Sequence, residues 1–197
     1  MLAGRRGEAV SCGNAHEAAL IARIDARDIA AFEELYRLFH PRLVRFLLTI
    51  MHRPTIVEEA LNDTMMVVWN KAGSYRGASR VSTWIFAIAY RQALKALRRQ
   101  DLPVEDRDAD TRMSDARGPE QALGLTQANH RLLAAMASLS PDHRAVIDLT
   151  YFHGLGTRDI AEVMGCPVDT VKTRMFHARR KLRGYLPGNA ADWLWDD

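Results

Sequence analysis

Six lysines and arginines against one acid lie in the segment 168–186, and their spacing is helical. At 100° per residue an apolar stripe forms from Val168, Val171, Met175, Ala178, Leu182 and Tyr185. Polar, basic and aromatic residues lie elsewhere around this helix, namely Thr170, Lys172, Thr173, Arg174, Phe176, His177 and Arg180. Basic side chains neutralise phosphates, and short polar ones reach base edges in the major groove. With the helix before it and the turn Gly165-Cys166-Pro167, the segment predicts a helix-turn-helix that binds duplex DNA. The alternative is an ordinary solvated basic helix.

A second set of cations is combined with an aromatic residue in the segment 81–99. One stripe of this predicted helix runs through Trp84, Ile88, Arg91 and Lys95, and continues to Arg98 and Arg99. Bases of single-stranded nucleic acid stack on aromatic rings while cations hold the backbone, so the stripe favours single-strand binding. The alternative is that Trp84 is a core residue.

The helix predicted over 55–72 differs from these two because its outer side is acidic. It carries an acidic and amide-bearing surface with one methionine, formed by Glu58, Glu59, Asn62, Asp63 and Met66. Charge orients a protein partner and methionine adapts to apolar contacts, so this surface favours protein binding. An ordinary solvated face is equally compatible with it.

Composition restricts the class of protein. The 197 residues are 48% apolar and 26% charged, which fits one or two globular domains and excludes low-complexity disorder. The net charge is only +3, so the positions of the charges matter more than their sum. Cys12 and Cys166 form no disulfide framework, which predicts a reducing, cytoplasmic location. No apolar run is long enough to span a membrane and no secretory signal pattern occurs, so we expect no membrane insertion.

Helical periodicity covers nearly the whole sequence, and strand alternation is absent. A first group of helices is predicted at 15–26, 28–40, 42–52, 55–72 and 81–99, with Pro41 and Pro54 placed where a helix would begin. A second group is predicted at 119–138, 141–153, 157–164 and 168–186.

Between the two groups, the segment 101–118 holds six acids against three arginines and few apolar residues, so it predicts a flexible acidic linker. The expected fold is therefore all-α, with two small helical domains joined by this linker. The expected divisions are an N-terminal tail at 1–14, a first domain at 15–100, the linker at 101–118, a second domain at 119–187 and a tail at 188–197.

Catalytic and metal-binding patterns are missing. Cys12, His16 and the scattered later histidines give no convergent set of metal ligands, and we expect no metal and no cofactor. Glycine-rich phosphate loops and nucleophile motifs do not occur, so the chain is not expected to be an enzyme.

The segment from Leu139 to Leu186 closely resembles region 4 of the extracytoplasmic-function (ECF) sigma factors, in the sigma-70 family. The shared pattern includes Leu139-Ser140-Pro141 and the stretch from Pro167 to Arg174 that opens the last helix. The resemblance implies that this helix recognises the −35 promoter element as double-stranded DNA, with Thr157 and Arg158 near phosphates. His177 stands where the family usually has arginine, and it offers less charge there.

The segment from Tyr75 to Arg99 resembles regions 2.3 and 2.4 of the same family, which recognise and melt the −10 element as single-stranded DNA. The matching groups are Tyr75-Arg76-Gly77, Ser82-Thr83-Trp84 and Leu97-Arg98-Arg99, and Ser79 and Arg80 lie in the same loop. Arg91 replaces the usual asparagine and Lys95 the usual aspartate. Because arginine only donates hydrogen bonds whereas asparagine also accepts them, we expect an altered −10 preference.

The helix at 55–72 resembles region 2.2, which binds the β′ clamp helices of core RNA polymerase, and 31–47 resembles region 2.1. The resemblance implies a sigma factor that also contacts the β flap of polymerase and has an anti-sigma partner. In the family the linker runs through the polymerase cleft, and a plain tether is equally compatible with its composition. Two other functions stay open: a conventional helix-turn-helix regulator, and a sigma-like decoy or adaptor that binds polymerase or an anti-sigma factor without initiating.

Overall fold

A computed structural model of the chain describes residues 3–101 and 134–184, with side chains given for 13–99 and 134–184. In these ranges the secondary structure is helical, with no strand. The α-helices are α1 (Ala3–Asp25), α2 (Ile29–Met51), α3 (Pro54–Lys71), α4 (Val81–Asp101), α5 (Pro141–Tyr151), α6 (Thr157–Met164) and α7 (Val168–Arg183). A short 3-10 helix, Ala72–Ser74, follows α3. The all-α fold class predicted from the sequence is confirmed.

The prediction of two separate helices at 28–40 and 42–52 is wrong, because α2 is one helix that continues through Pro41. An interior proline costs about 3 kcal/mol through the lost hydrogen bond and the clash with the preceding turn. The two halves share one fully buried face, formed by Leu35, Phe39, Leu43, Phe46, Leu47 and Ile50. Each such side chain gains about 1.5 to 3 kcal/mol on burial, which outweighs the cost of the proline.

The first helix is longer than predicted, since α1 begins at Ala3 and not near residue 15. Extending an existing helix costs far less than nucleating one, and alanine, arginine and glutamate before residue 15 are good helix formers. The predicted N-terminal tail at 1–14 is therefore largely helical. Most of the linker 101–118, the first part of the helix at 119–138, and the tail at 188–197 lie outside the described residues.

Local signals explain where the helices of the second group begin and end. The Ser140 side chain accepts a hydrogen bond from the backbone N–H of His143, and Pro141 occupies the first helical position of α5. Gly165 ends α6 with a φ of 62°, a left-handed conformation that glycine adopts without strain. The turn between α6 and α7 is thus the one that the sequence predicts.

The two helical groups, α1–α4 and α5–α7, are in direct contact. Helix α5 packs on α2, and α6 packs on α4, in addition to the packing within each group. Buried apolar residues of both groups belong to one continuous cluster. The described helices include none long and apolar enough to cross a membrane.

Candidate nucleic-acid interface

The second and third helices of the C-terminal group, α6 and α7, form the predicted helix-turn-helix. The inner side of α7 is buried through Val171, Met175, Ala178 and Leu182. Its outer side presents an exposed set formed by Lys172, Thr173, Phe176, His177 and Arg180. We call this set the α7 outer face. Phe176 is 61% exposed, so its ring is accessible to a binding partner.

Neighbouring residues hold parts of the α7 outer face in place. Lys172 lies 3.0 Å from Asp169, and the hydroxyl of Thr173 donates to the Asp169 carbonyl. The Arg180 guanidinium lies 5.8 Å from the centre of the Phe176 ring. Thr157 and Arg158 are exposed at the N-terminal end of α6. The face therefore combines cations, a hydroxyl and a ring on one accessible surface.

Arg174, which the sequence predicts as a DNA-binding residue, is half-buried and does not belong to the α7 outer face. Its guanidinium lies 2.5 Å from the Asp142 carboxylate of α5 and 3.6 Å from the Cys166 sulfur. Thr170, one turn earlier, is half-buried. Both residues lie beside the buried stripe, since position 174 is three residues after Val171 and four before Ala178. That spacing is the signal that would have placed Arg174 on the inner side.

The loop before α4 is closed by aromatic and hydroxyl contacts. The Tyr75 hydroxyl donates to the Ser79 carbonyl at 2.7 Å, and the Tyr75 and Trp84 ring centres lie 5.6 Å apart. Trp84 is half-buried, so its exposure is intermediate between that of a core residue and that of an exposed stacking residue. Arg76 and Arg80 are exposed on the same loop, and Gly77 has a φ of 70° that favours glycine.

The surface of α4 is only partly available. Arg91 and Lys95 are exposed one turn apart, as predicted. Ser82 and Thr83, in contrast, are 9% and 0% exposed, so they cannot contact DNA in this arrangement. Ile88, placed on the outer stripe by periodicity, is also buried. The reason is that α4 packs against α2 and α3 on one side and α6 on another, whereas periodicity within one helix indicates a single apolar side.

The acidic side of α3 lies at the surface as expected. Glu58, Glu59, Asn62 and Met66 are exposed and Asp63 is half-buried. Met66 is 54% exposed, and Glu59 lies 3.7 Å from Arg99 of α4, with both side chains in solvent. An exposed pair of this kind contributes little to stability, so both charges can turn to a partner.

Several polar contacts between the two helical groups were not found from the sequence. Buried Tyr90 donates to the partly exposed Asp142, buried Arg144 donates to the Ile50 carbonyl, and buried Asp148 accepts from Thr49. The ring centre of His153 lies 4.4 Å from that of Phe86. Burial, followed by the hydrogen bond to Asp142, raises the pKa of Tyr90 well above its ordinary value. Two charged residues border and interrupt an apolar run, since Arg144 precedes Ala145-Val146-Ile147 and Asp148 follows it before Leu149. Charged residues in such a run are the signal that indicates buried polar contacts.

Metal binding receives no support from the described residues, in which no group of three or more histidine, cysteine or acidic side chains converges. The described residues present three candidate surfaces, namely the α7 outer face, the loop before α4 with the exposed cations of α4, and the acidic side of α3.

Family models match both helical groups of the chain. "Sigma-70 region 2" matches residues 35–102 and "Sigma-70, region 4" matches residues 129–182. The chain is 34% identical over 165 residues to "ECF RNA polymerase sigma factor RpoE" of Cereibacter sphaeroides, covering 82% of this chain and 90% of that protein. It is 28% identical over 173 residues to "RNA polymerase sigma-H factor" of Pseudomonas aeruginosa, covering 83% and 90%.

Solved structures of the same fold are also similar. The matched chain of "Structure of CnrH in complex with the cytosolic domain of CnrY" has a TM-score of 0.64 at 21% identity, covering 86% of this chain and 96% of that one. RpoE of Bartonella quintana, solved with the anti-sigma factor NepR, has a TM-score of 0.60 at 23% identity, covering 78% and 95%. The sequence matches establish the family, and the structural matches agree with the fold. The chain belongs to the ECF sigma factors of the sigma-70 family, which direct transcription initiation by RNA polymerase.

Proposed function

We propose that this sigma factor divides its work among the three surfaces described above. The acidic side of α3 binds the β′ clamp helices of core RNA polymerase. The α7 outer face, with Thr157 and Arg158, binds the −35 element as duplex, and the second helical group contacts the β flap. The loop with Tyr75, Arg76, Ser79 and Arg80, together with Trp84, Arg91 and Lys95, binds the −10 element as it becomes single-stranded.

The observation that carries this proposal is the exposure of the α7 outer face. A 61% exposed phenylalanine beside an arginine, with a lysine and a threonine a turn away, offers phosphate neutralisation and base-edge contact together. The helix-turn-helix geometry around it brings α7 to the surface with its apolar side fixed by α5 and α6.

Binding and positioning are the whole of the proposed activity. The chain acts in the cytoplasm, where polymerase and DNA are, and carries out no covalent step and requires no cofactor. Since one structure of similar fold holds the sigma factor RpoE together with the anti-sigma factor NepR, we include an anti-sigma partner in the proposal.

A selection experiment tests the assignment of surfaces. Core polymerase is mixed with the chain, and fragments bound from a random-sequence promoter library are sequenced. We expect fragments enriched in two separated motifs, with Lys172→Ala and Phe176→Ala weakening enrichment of the upstream motif only. Arg37→Ala, which removes an exposed α2 cation paired with Glu33, is the matched control and should change neither motif. Loss of both motifs with every variant, or no enrichment with the unmodified chain, would overturn the assignment.

One observation keeps a second function open. Arg91 and Lys95 replace residues that the family uses for −10 recognition, and a chain that binds polymerase without opening DNA would act as a decoy. The selection experiment distinguishes an initiating sigma factor from a decoy, because a decoy binds core polymerase and enriches no −10 motif.

A further inference from the structure

Helix α2 carries a second apolar stripe on the side opposite its buried face. The stripe is formed by Leu38, Pro41, Val44 and Leu48, which follow one another at intervals of three or four residues. Leu38 is 43% exposed, Pro41 is exposed, and Val44 and Leu48 are half-buried. A surface helix normally has one apolar stripe, because its other side faces water. The second stripe therefore favours an occupant that covers this side of α2.

The second stripe forms the floor of an open groove, here called the α2 groove. The groove is lined by His40, Pro41, Val44, Arg45, Leu48 and Thr49. It continues, past Pro41 and Arg45, to Phe152 just after α5. Phe152 is 56% exposed, and the centre of its ring lies 3.4 Å from the Arg45 guanidinium. The α2 groove therefore offers an aliphatic floor with an aromatic ring and a cation at one edge.

The charge of this part of the chain is positive. From residue 35 to residue 57 the sequence holds four arginines, at positions 37, 42, 45 and 53, and no aspartate or glutamate. The Arg45 side chain is 50% exposed, although it lies 3.6 Å from the Asp148 carboxylate. A guanidinium has five N–H donors, so a half-exposed one keeps donors for a second carboxylate. The α2 groove therefore fits an occupant with large apolar side chains and negative charge.

The segment 188–197, here called the C-terminal segment, has the matching chemistry. It contains Trp193 and Trp195, with Asp192 before them and Asp196 and Asp197 after them, and no lysine or arginine. Tryptophan buries a large apolar area, and carboxylates form strong hydrogen bonds with guanidinium groups. The surfaces assigned to DNA and polymerase do not use this segment. Its apolar block and its acids are therefore available for the α2 groove.

The end of α7, from which the C-terminal segment continues, lies near the end of α2. In the last turn of α7, Lys181 donates to the Ser138 carbonyl. The next carbonyl along the chain, that of Leu139, accepts from Arg144 at 2.9 Å. Arg144 also donates to the Ile50 carbonyl of α2 at 2.7 Å. Consecutive short contacts thus connect the two helix ends.

The length of the chain beyond α7 is sufficient to reach the α2 groove. Leu48, at one end of the groove, is two residues before Ile50. Trp193 is nine residues beyond Gly184, where the described part of the chain ends. Nine extended residues span up to about 30 Å. The tryptophans can therefore reach the groove while the described helices stay where they are.

We propose that the C-terminal segment is an intramolecular ligand of the α2 groove, with Trp193 and Trp195 on its apolar floor and the aspartates beside Arg45. Two sites joined by a short tether have an effective concentration of about 1 mM, so a weak contact is enough to fill the groove. A second copy of the chain lacks this advantage. The occupied groove covers the second apolar stripe of α2 and leaves the three surfaces of the proposed function free.

Protection of a cysteine placed in the α2 groove tests the proposal. Val44→Cys is introduced in the full chain, in a background in which both native cysteines are replaced by serine, and its rate of reaction with a water-soluble maleimide is measured. We expect Trp193→Ala combined with Trp195→Ala to raise this rate at least fivefold, because the groove is then uncovered. Glu58→Cys, on the exposed side of α3, is the matched control, and its rate should be the same with and without the tryptophans.

The labelling rates decide between the C-terminal segment and other occupants. Equal rates for Val44→Cys with and without the tryptophans would overturn the proposal, and so would an equally large rise for Glu58→Cys. Protection by the chain's own segment should persist when the protein is diluted a hundredfold. Protection that is lost on dilution would assign the groove to a second copy of the chain and would also overturn the proposal.

Fluorine NMR observes the tryptophans while the α2 groove is unmodified. The full chain is labelled with 5-fluorotryptophan, and its resonances are compared with those of a labelled peptide of residues 188–197. We expect the Trp193 and Trp195 resonances to differ from the peptide values, and Leu48→Asn to move them toward those values. Ile29→Asn, which changes an exposed apolar residue at the other end of α2, is the matched control and should leave both resonances unchanged. Resonances of the unmodified chain that coincide with the peptide values would overturn the proposal.

Discussion

The guanidinium of Arg174 on α7 lies 2.5 Å from the carboxylate of Asp142 on α5, and Asp142 also accepts a hydrogen bond from Tyr90 on α4. One carboxylate therefore connects α7 with a helix of the other group. In this arrangement Arg174 stabilises the packing of α7, whereas Lys172, two residues earlier, is in solvent. We therefore expect the removal of Lys172 to affect DNA binding and the removal of Arg174 to affect stability.

Lys172→Ala should weaken binding to −35 duplex and lower the salt dependence of the binding constant by about one unit of slope. Arg174→Ala should leave that slope unchanged and lower the free energy of unfolding by about 1 to 2 kcal/mol, because it breaks a half-buried charged hydrogen bond. Fluorescence anisotropy at several salt concentrations and urea unfolding measure the two quantities. Equal salt slopes for both variants would show that Arg174 also reaches phosphate.

Phe176 and Met175 are adjacent in sequence and lie on opposite sides of α7. Phe176→Ala should change the free energy of unfolding by less than about 0.5 kcal/mol and lower −35 affinity, because the ring is exposed. Met175→Ala should cost about 2 to 5 kcal/mol of stability, because it leaves a cavity behind α7. Denaturant titration of both variants checks the contrast. A large stability loss in Phe176→Ala would mean that the ring packs within the fold.

Thr83 is fully buried, and its hydroxyl has no hydrogen-bond partner among the residues that the structure describes. Thr83→Val keeps the shape and removes the unpaired polar group, so the free energy of unfolding should rise by about 1 kcal/mol. Thr83→Ser keeps the hydroxyl and is the matched control, expected to be less stable than the native chain. If Thr83→Val were destabilised, the hydroxyl would have a partner in solution.

His143 on α5 has its pKa lowered below the ordinary value of 6.5, mainly by burial and then by His177 of α7. Arg174 and Lys181 act in the same direction and Asp142 opposes them. The folded chain thus favours the neutral imidazole, and this contribution to stability is fully present above pH 6.5 and is lost as the pH falls toward the lowered pKa. In an NMR titration, His177→Ala should raise the pKa of His143. No change would mean that burial alone lowers it.

Arg91→Asn should shift the base preference of the −10 element, because asparagine offers an acceptor as well as donors. Lys95→Ala is the comparison, expected to weaken binding without changing the preferred bases. Sequencing of −10 regions selected by each variant with core polymerase provides the measurement. An unchanged base preference in Arg91→Asn would mean that Arg91 contacts the DNA backbone and not a base.

Periodicity predicted most of the helices and the exposed side of α7, because an apolar stripe at helical spacing depends on one helix and its own core. It failed at Pro41, where a shared buried face outweighs the cost of proline, and at Ser82 and Thr83, which are buried at the start of a helix that packs against several others. Tyr90 and Asp142 are 52 residues apart and pair only after both groups have folded. No local sequence pattern contains that pairing, so the contacts between the two helical groups could be found only from the structure.

Transcription by core polymerase shows whether this chain directs RNA polymerase to a promoter with two elements. RNA made from a random-sequence promoter library by core polymerase and the chain is sequenced from its 5′ ends. We expect discrete start sites, each preceded by a −10 motif and a −35 motif, with Phe176→Ala degrading the −35 motif alone. Start sites no different from those of core polymerase without the chain would contradict this expectation.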